Sequence, residues 1–216
     1  MSSILATQYA GRVEMATDGG VFDQHGNLTG VKSKIWASPS RPFLAGGVGG
    51  DWEVDTLSRF SVAATLGGTV DEAIEWLARV LPDRPEVTSP IPFELVIGCI
   101  SEAHGPQIWR FRSFHPDRPL PALRLEWRGD VALGPALTVE EMQAAGYYPE
   151  DFRRTSIGFM KAMRAKPCRP EFYPGGEIAE GHYIGAHVDH AVITADGVMV
   201  ERVLEWPDVI GQRIEP

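Results

Sequence analysis

Apolar residues return at every second position in one run of this chain after another. Phe93, Leu95, Ile97 and Cys99 share one face of a segment. Trp109 and Phe111 alternate with Arg110 and Arg112, and Leu123, Leu125 and Trp127 alternate with Arg124, Glu126 and Arg128. A period of two marks antiparallel, half-buried strands. Asp130 to Leu133 reads as one more. Late in the chain, His187 to Thr194 and Val198 to Leu204 form a hairpin around Ala195-Asp196-Gly197. Near the start, Ser3 to Tyr9 and Val13 to Ala16 turn about Gly11. Lys34 to Ala37 and Pro42 to Ala45 turn about Ser38-Pro39-Ser40-Arg41. The polar stretch with Gly26, Asn27 and Gly30 reads as a loop, as does Cys168 to Gly181. The 23 glycines and 17 prolines show no collagen-like period, so they punctuate many short elements and argue against a helical bundle.

Between the strands the period changes to 3.6. Thr69-Val70-Asp71-Glu72 is a capping box, in which the hydroxyl accepts a first-turn amide and Glu72 reaches back. Val70, Ala73, Ile74, Leu77, Ala78 and Leu81 line one stripe of the helix it opens, and Pro82 and Pro85 stop that helix. An earlier helix follows the glycines at 46–50, with Val54, Leu57, Ser61 and Ala64 on one face. A second capping box, Thr138-Val139-Glu140-Glu141, opens a short helix, and a further one carries Phe152, Thr155, Ser156, Phe159, Met160 and Met163. The order is four strands, two helices, three or four strands, two helices and a last hairpin. It predicts an α+β domain over residues 1–216, with two stacked antiparallel sheets, each covered on its outer side by helices.

Charge narrows the partners. Twenty basic against 29 acidic residues leave a net charge of -9, a poor match for nucleic acid or an anionic membrane. Cys99 and Cys168 lie far apart and form no CxxC pair, which fits free thiols in a reducing cytoplasm. No apolar run approaches the roughly 20 residues of a membrane helix. Met1 to Thr7 lacks the basic start and long apolar core of a signal peptide. The glycines at 46–50 are followed by no Gly-Lys-Ser/Thr, so they are no phosphate loop. In His187-Val188-Asp189-His190 a strand puts His187 and Asp189 on one face and His190 on the other, which argues against a shared metal ion. No organic cofactor is implied.

The residues suited to chemistry lie in the first fifty. An initiator methionine is normally removed before a small residue, which makes Ser2 the expected mature N-terminus. A terminal serine holds a nucleophile and a base together, since its hydroxyl attacks while its free α-amine takes the proton. That amine has a reference pKa near ~7.7–8.0 and is partly neutral at physiological pH. A nearby lysine favours both the neutral amine and the incipient alkoxide, an acidic partner fixes the lysine, and a backbone N–H beside a glycine can hold an oxyanion. Asp18 at the end of the second strand, Lys34 at the start of the third and Gly46 before the first helix are the candidates.

Here the chain resembles a known family, the N-terminal nucleophile hydrolases of the proteasome β-subunit and bacterial proteasome-like peptidase type. The resemblance runs through Ser2 to Thr7, Met15-Ala16-Thr17-Asp18-Gly19, Lys32-Ser33-Lys34-Ile35 and Ala45 to Gly50. It returns in Val188 to Gly197. It implies a four-layer αββα sandwich, with Ser2 as nucleophile, Asp18 as acidic partner, Lys34 as activating lysine and Gly46 as oxyanion donor. It also implies a peptide or amide substrate, a homo-oligomeric ring and an ATP-dependent unfoldase as a candidate partner. The chain departs from the family's pattern three times, the first being serine at position 2 where the family's nucleophile is usually threonine. The Gly-Ser-Gly region is Leu133-Gly134-Pro135, and the Asp-x-x-Ser-Gly-Gly before the late hairpin is Gly181-His182-Tyr183-Ile184-Gly185-Ala186. Such a site is weaker, rearranged around His182 or Tyr183, or silent. The alternatives to a peptidase are therefore a catalytically inactive subunit with a structural or binding role, and a small-molecule amidase of the same fold.

Overall fold

A computed structural model describes residues 2–113, 123–169 and 179–216. Strands β1 (Ile4–Gln8) and β2 (Val13–Asp18) form the expected first hairpin, and β5 (Ile35–Ala37) with β6 (Phe43–Gly49) the second. Between them the polar stretch is not a plain loop. Gly20–Phe22 (β3) and Leu28–Val31 (β4) pair as a small two-stranded sheet around an Asp23 side chain that accepts from the backbone of His25 and Asn27. That turn stores its information in Asp23 rather than in alternating apolar residues, so periodicity misses it.

The remaining strands are β7 (Phe93–Ser101), β8 (Gly105–Arg112), β9 (Leu125–Arg128), β10 (Asp130–Leu133), β11 (His187–Thr194) and β12 (Gly197–Glu205). One five-stranded antiparallel sheet has the order β10-β1-β2-β11-β12, and the other β5-β6-β7-β8-β9. The α-helices are α1 (Asp51–Ala64), α2 (Val70–Val80), α3 (Val139–Ala145) and α4 (Phe152–Ala165). Both predicted capping boxes form, with the Thr69 and Thr138 hydroxyls accepting from Glu72 and Glu141. The chain is thus α+β, with three antiparallel sheets and four α-helices among the described residues.

Three apolar clusters show what each face packs against. Val54, Leu57, Val70, Ile74 and Leu77 of α1 and α2 join Phe93, Leu95, Ile97 and Cys99 of β7. Ile4, Val13, Met15 and Ile193 of one sheet meet Leu44, Val96 and Ile108 of the other. Leu5, Ala16 and Val188 meet Phe152, Phe159, Met160 and Met163 of α4. Strand β7 therefore differs from its expected half-burial, because both of its faces carry apolar side chains into a cluster. Three smaller corrections follow. Strand β6 runs on through Gly46 to Gly49 rather than ending at Ala45. Leu123 lies outside β9 with φ 61°, and Ala78 is exposed on α2. Leu77 has no exposed surface, and truncating such a residue to alanine costs about 2–5 kcal/mol.

Candidate active site

Two hairpins, one from each large sheet, supply the site. The register that sets Ile4 opposite Thr17 brings the start of β1 level with the end of β2. Asp18 N–H donates to the Ser3 carbonyl at 3.3 Å, and Ser3 N–H donates to Asp18 Oδ1 at 2.8 Å. Ser2 precedes this clasp. Lys34 arrives from the other sheet, as the residue before β5. Its Nζ lies 2.7 Å from Ser2 Oγ and 3.1 and 3.0 Å from the two Asp18 oxygens, and it also donates to the Gly20 carbonyl. An ammonium has three protons. One serves the carboxylate, one the Gly20 carbonyl, and the third points at the serine oxygen.

The site is buried: Asp18 shows 0 % and Lys34 4 % of its surface, while Ser2 keeps 9 %. Burial pushes the Lys34 amine below its ordinary 10.5, and the Asp18 charge, which pulls the other way, does not fully offset it. A buried charge needs this degree of pairing. Besides Lys34 and Ser3, Asp18 accepts from Gly20 N–H at 3.1 Å and, at a long 3.5 Å, from Gly185 N–H.

Gly46 is buried where β6 passes between β5 and β7, opposite Ile35 and Val96. A β-carbon here would stand 2.6 Å from the Lys34 carbonyl oxygen and 3.6 Å from Ile4 Cδ1. The glycine thus lets the Lys34 backbone approach closely. Ser2, Asp18 and Lys34 are brought together through their side chains, and Gly46 adjoins them through the main chain.

The two departures that lie later in the chain have distinct outcomes. Leu133 pairs with Ile4, and its carbonyl accepts from Ser3 Oγ at 2.9 Å. The hydroxyl beside this stretch therefore belongs to Ser3. Neither His182 nor Tyr183 rebuilds the site. His182 Nδ1 meets the Arg164 carbonyl at 2.8 Å, and Tyr183 donates to the Ala179 carbonyl at 2.6 Å while packing edge-on against Phe22. The segment touches Asp18 through the Gly185 backbone instead.

The late hairpin adds contacts that sequence reasoning missed. Gly19 N–H points to the carbonyls of Gly185 and His187, at 3.2 and 3.0 Å. His187 Nε2 lies 3.2 Å from Asp189 Oδ2, and Arg202 Nε donates to Asp189 Oδ1 at 3.3 Å. Burial alone would raise the Asp189 carboxyl, but hydrogen bonds from His187, Ser33 and Arg202 hold it below its ordinary 3.8. Its bond with Ser33 ties the hairpin to the residue before Lys34. His190 turns to the opposite face, as expected, where its Nε2 meets Glu14 Oε2 at 2.8 Å. Spacing signalled the four early residues, whereas nothing local signals contacts between positions 19 and 187 or 33 and 189. No protein-family model and no curated protein matches this chain.

Proposed function

We propose that this chain is a proteasome-like N-terminal nucleophile hydrolase, a serine-type peptidase or amidase, with its sheets and helices stacked as a four-layer αββα sandwich. The observation that carries the reading is the 2.7 Å approach of Lys34 Nζ to Ser2 Oγ, with Asp18 3.0 Å behind it. A lysine taken out of water and aimed at a hydroxyl lowers the cost of negative charge on that oxygen.

Removal of Met1 frees the Ser2 amine. Ser2 Oγ attacks the substrate carbonyl carbon, and its proton passes to the α-amine. The resulting oxyanion accepts from the Gly46 N–H. On collapse the C–N bond breaks, the leaving amine takes the proton from the α-ammonium, and an ester on Ser2 remains. Water, deprotonated by the same amine, attacks the ester and releases a carboxylic acid and the free hydroxyl. Lys34 offsets the charge on Oγ throughout, and Asp18 orients Lys34. The fold resemblance extends the proposal to a homo-oligomeric ring and an unfoldase partner.

A catalytically silent subunit is the second reading, favoured by Pro135 and by the apolar Ile184 where the family carries serines. Intact mass and a fluorophosphonate separate the two. The hydrolase loses Met1 and takes one label on Ser2, and Lys34→Ala abolishes labelling. Retained Met1, or processed protein that takes no label, overturns the proposal.

A further inference from the structure

Arg164 is a charged residue on the buried side of α4, with 5 % of its surface exposed. Its guanidinium donates to both Asp208 oxygens, at 2.8 and 2.7 Å, and to the carbonyls of Ile184 and Glu215, at 2.9 and 3.0 Å. Asp208 Oδ2 also accepts from Ala186 N–H at 2.7 Å. One ion pair therefore grips residue 184 by its carbonyl and residue 186 by its amide. The residue between them is Gly185, where a β-carbon would lie 2.7 Å from Asp208 Oδ2 and 2.1 Å from Ile214 Cδ1. Ala186 is held at φ 67°, a left-handed conformation that residues with a β-carbon rarely adopt. Backbone in such a state persists only where its surroundings over-determine it.

What this grip presents is the Gly185 backbone, whose N–H lies 3.5 Å from Asp18 Oδ2 and whose carbonyl accepts from Gly19 N–H at 3.2 Å. We propose that the Arg164–Asp208 ion pair is a positioning device for the Asp18–Lys34 couple, acting through the Ile184-Gly185-Ala186 turn. It occupies the stretch in which the family's polar side chains are missing here. Arginine suits the task because its planar fork serves several acceptors at once, which a lysine ammonium cannot do in this geometry. The role in catalysis rests on the hydrolase reading, whereas the effect on Lys34 does not.

The test uses the full chain and reads Lys34 directly. The protein has four lysines, at 32, 34, 161 and 166, so 13Cε-lysine NMR resolves them, with Lys34→Arg giving the assignment. The variants are Arg164→Lys and the uncharged pair Arg164→Gln/Asp208→Asn, which leaves no lone buried charge. Arg84→Lys, in a separate ion pair with Glu86, is the control. Groups whose charge acts on Lys34 are Asp18, Asp51 and Lys32, joined by the Ser2 α-amine once Met1 is removed, and none is altered. Loosening the turn removes a donor from Asp18 and admits water beside Lys34, and both changes favour the ammonium. The Lys34 midpoint should rise by about one pH unit in both variants, at unchanged near-UV circular dichroism. Fluorophosphonate labelling of Ser2 should slow by about tenfold, and Arg84→Lys should change neither readout. A Lys34 midpoint that stays put in a folded variant overturns the positioning role. Failure of wild-type protein to label overturns the hydrolase reading instead, and the Lys34 titration still decides the positioning.

Discussion

The imidazole of His187 fills the space that a β-carbon on Gly19 would need: such an atom would lie 2.1 Å from His187 Cε1. Gly19 lies between β2 and β3 and His187 opens β11, and their packing fixes the backbone that follows Asp18. Gly19→Ala should destabilise the protein by about 1–3 kcal/mol through overpacking. His187→Ala in the same chain should recover part of that loss, because it vacates the contested volume. Urea denaturation of the two single variants and the double variant measures the coupling, and strict additivity would disprove the contact.

Lys34 and Asp18 form a buried pair, so removing one partner should cost more than removing both. Lys34→Met leaves an uncompensated carboxylate and should cost about 3–5 kcal/mol, while Lys34→Met/Asp18→Asn should recover most of it. The pH dependence has a definite sign. Folding lowers the Lys34 pKa below 10.5, so the unfolded chain binds the proton more tightly. Stability from this group therefore rises with pH, from its folded value up to 10.5. Wild type and Lys34→Met, compared by denaturation across the alkaline range, should diverge in that direction.

Glu14 governs the acid side. Burial would raise its pKa, but hydrogen bonds from His190 and Arg12 outweigh burial and hold it below 4.5. Its contribution is fully present above 4.5 and is lost as pH falls through the lower folded value. Glu14→Gln should flatten stability against pH below 4.5.

Cys99 faces the α1–α2 cluster with no exposed surface, and burial pushes its thiol up to about 12. In a Cys168→Ser background, Ellman's reagent should find no reactive thiol until the chain unfolds, and one thereafter. Rapid labelling of the native protein would place Cys99 outside the core.

Patterns within one element were readable in advance. The Thr69 and Thr138 caps, the α4 stripe and the opposite facing of His187 and His190 each depend on neighbours a few residues apart. Ser2, Asp18 and Lys34 were also readable, because consecutive hairpins make their spacing meaningful. What escaped depends on groups with no local signature. Asp23 closes a small hairpin through its own carboxylate, and Arg164 looks like one more surface cation of a helix until Asp208, far along the chain, meets it. Strand β7 misled for a related reason. Its alternation is sound on one face, but a second sheet covers the other, and only the assembled layers reveal that.

Ser2 and Asp18 belong to one sheet and Lys34 to the other, so their meeting is an event in the history of the chain as well as a geometry. A nascent polypeptide that has built a single sheet holds either the hydroxyl or the ammonium, never the couple. Closing the two sheets demands contacts between distant parts of the sequence, which form slowly. On the proposed hydrolase reading, the Ser2 hydroxyl lacks its lysine during that interval, and a newly made chain would be spared from attacking its unfolded neighbours before its own sheets close.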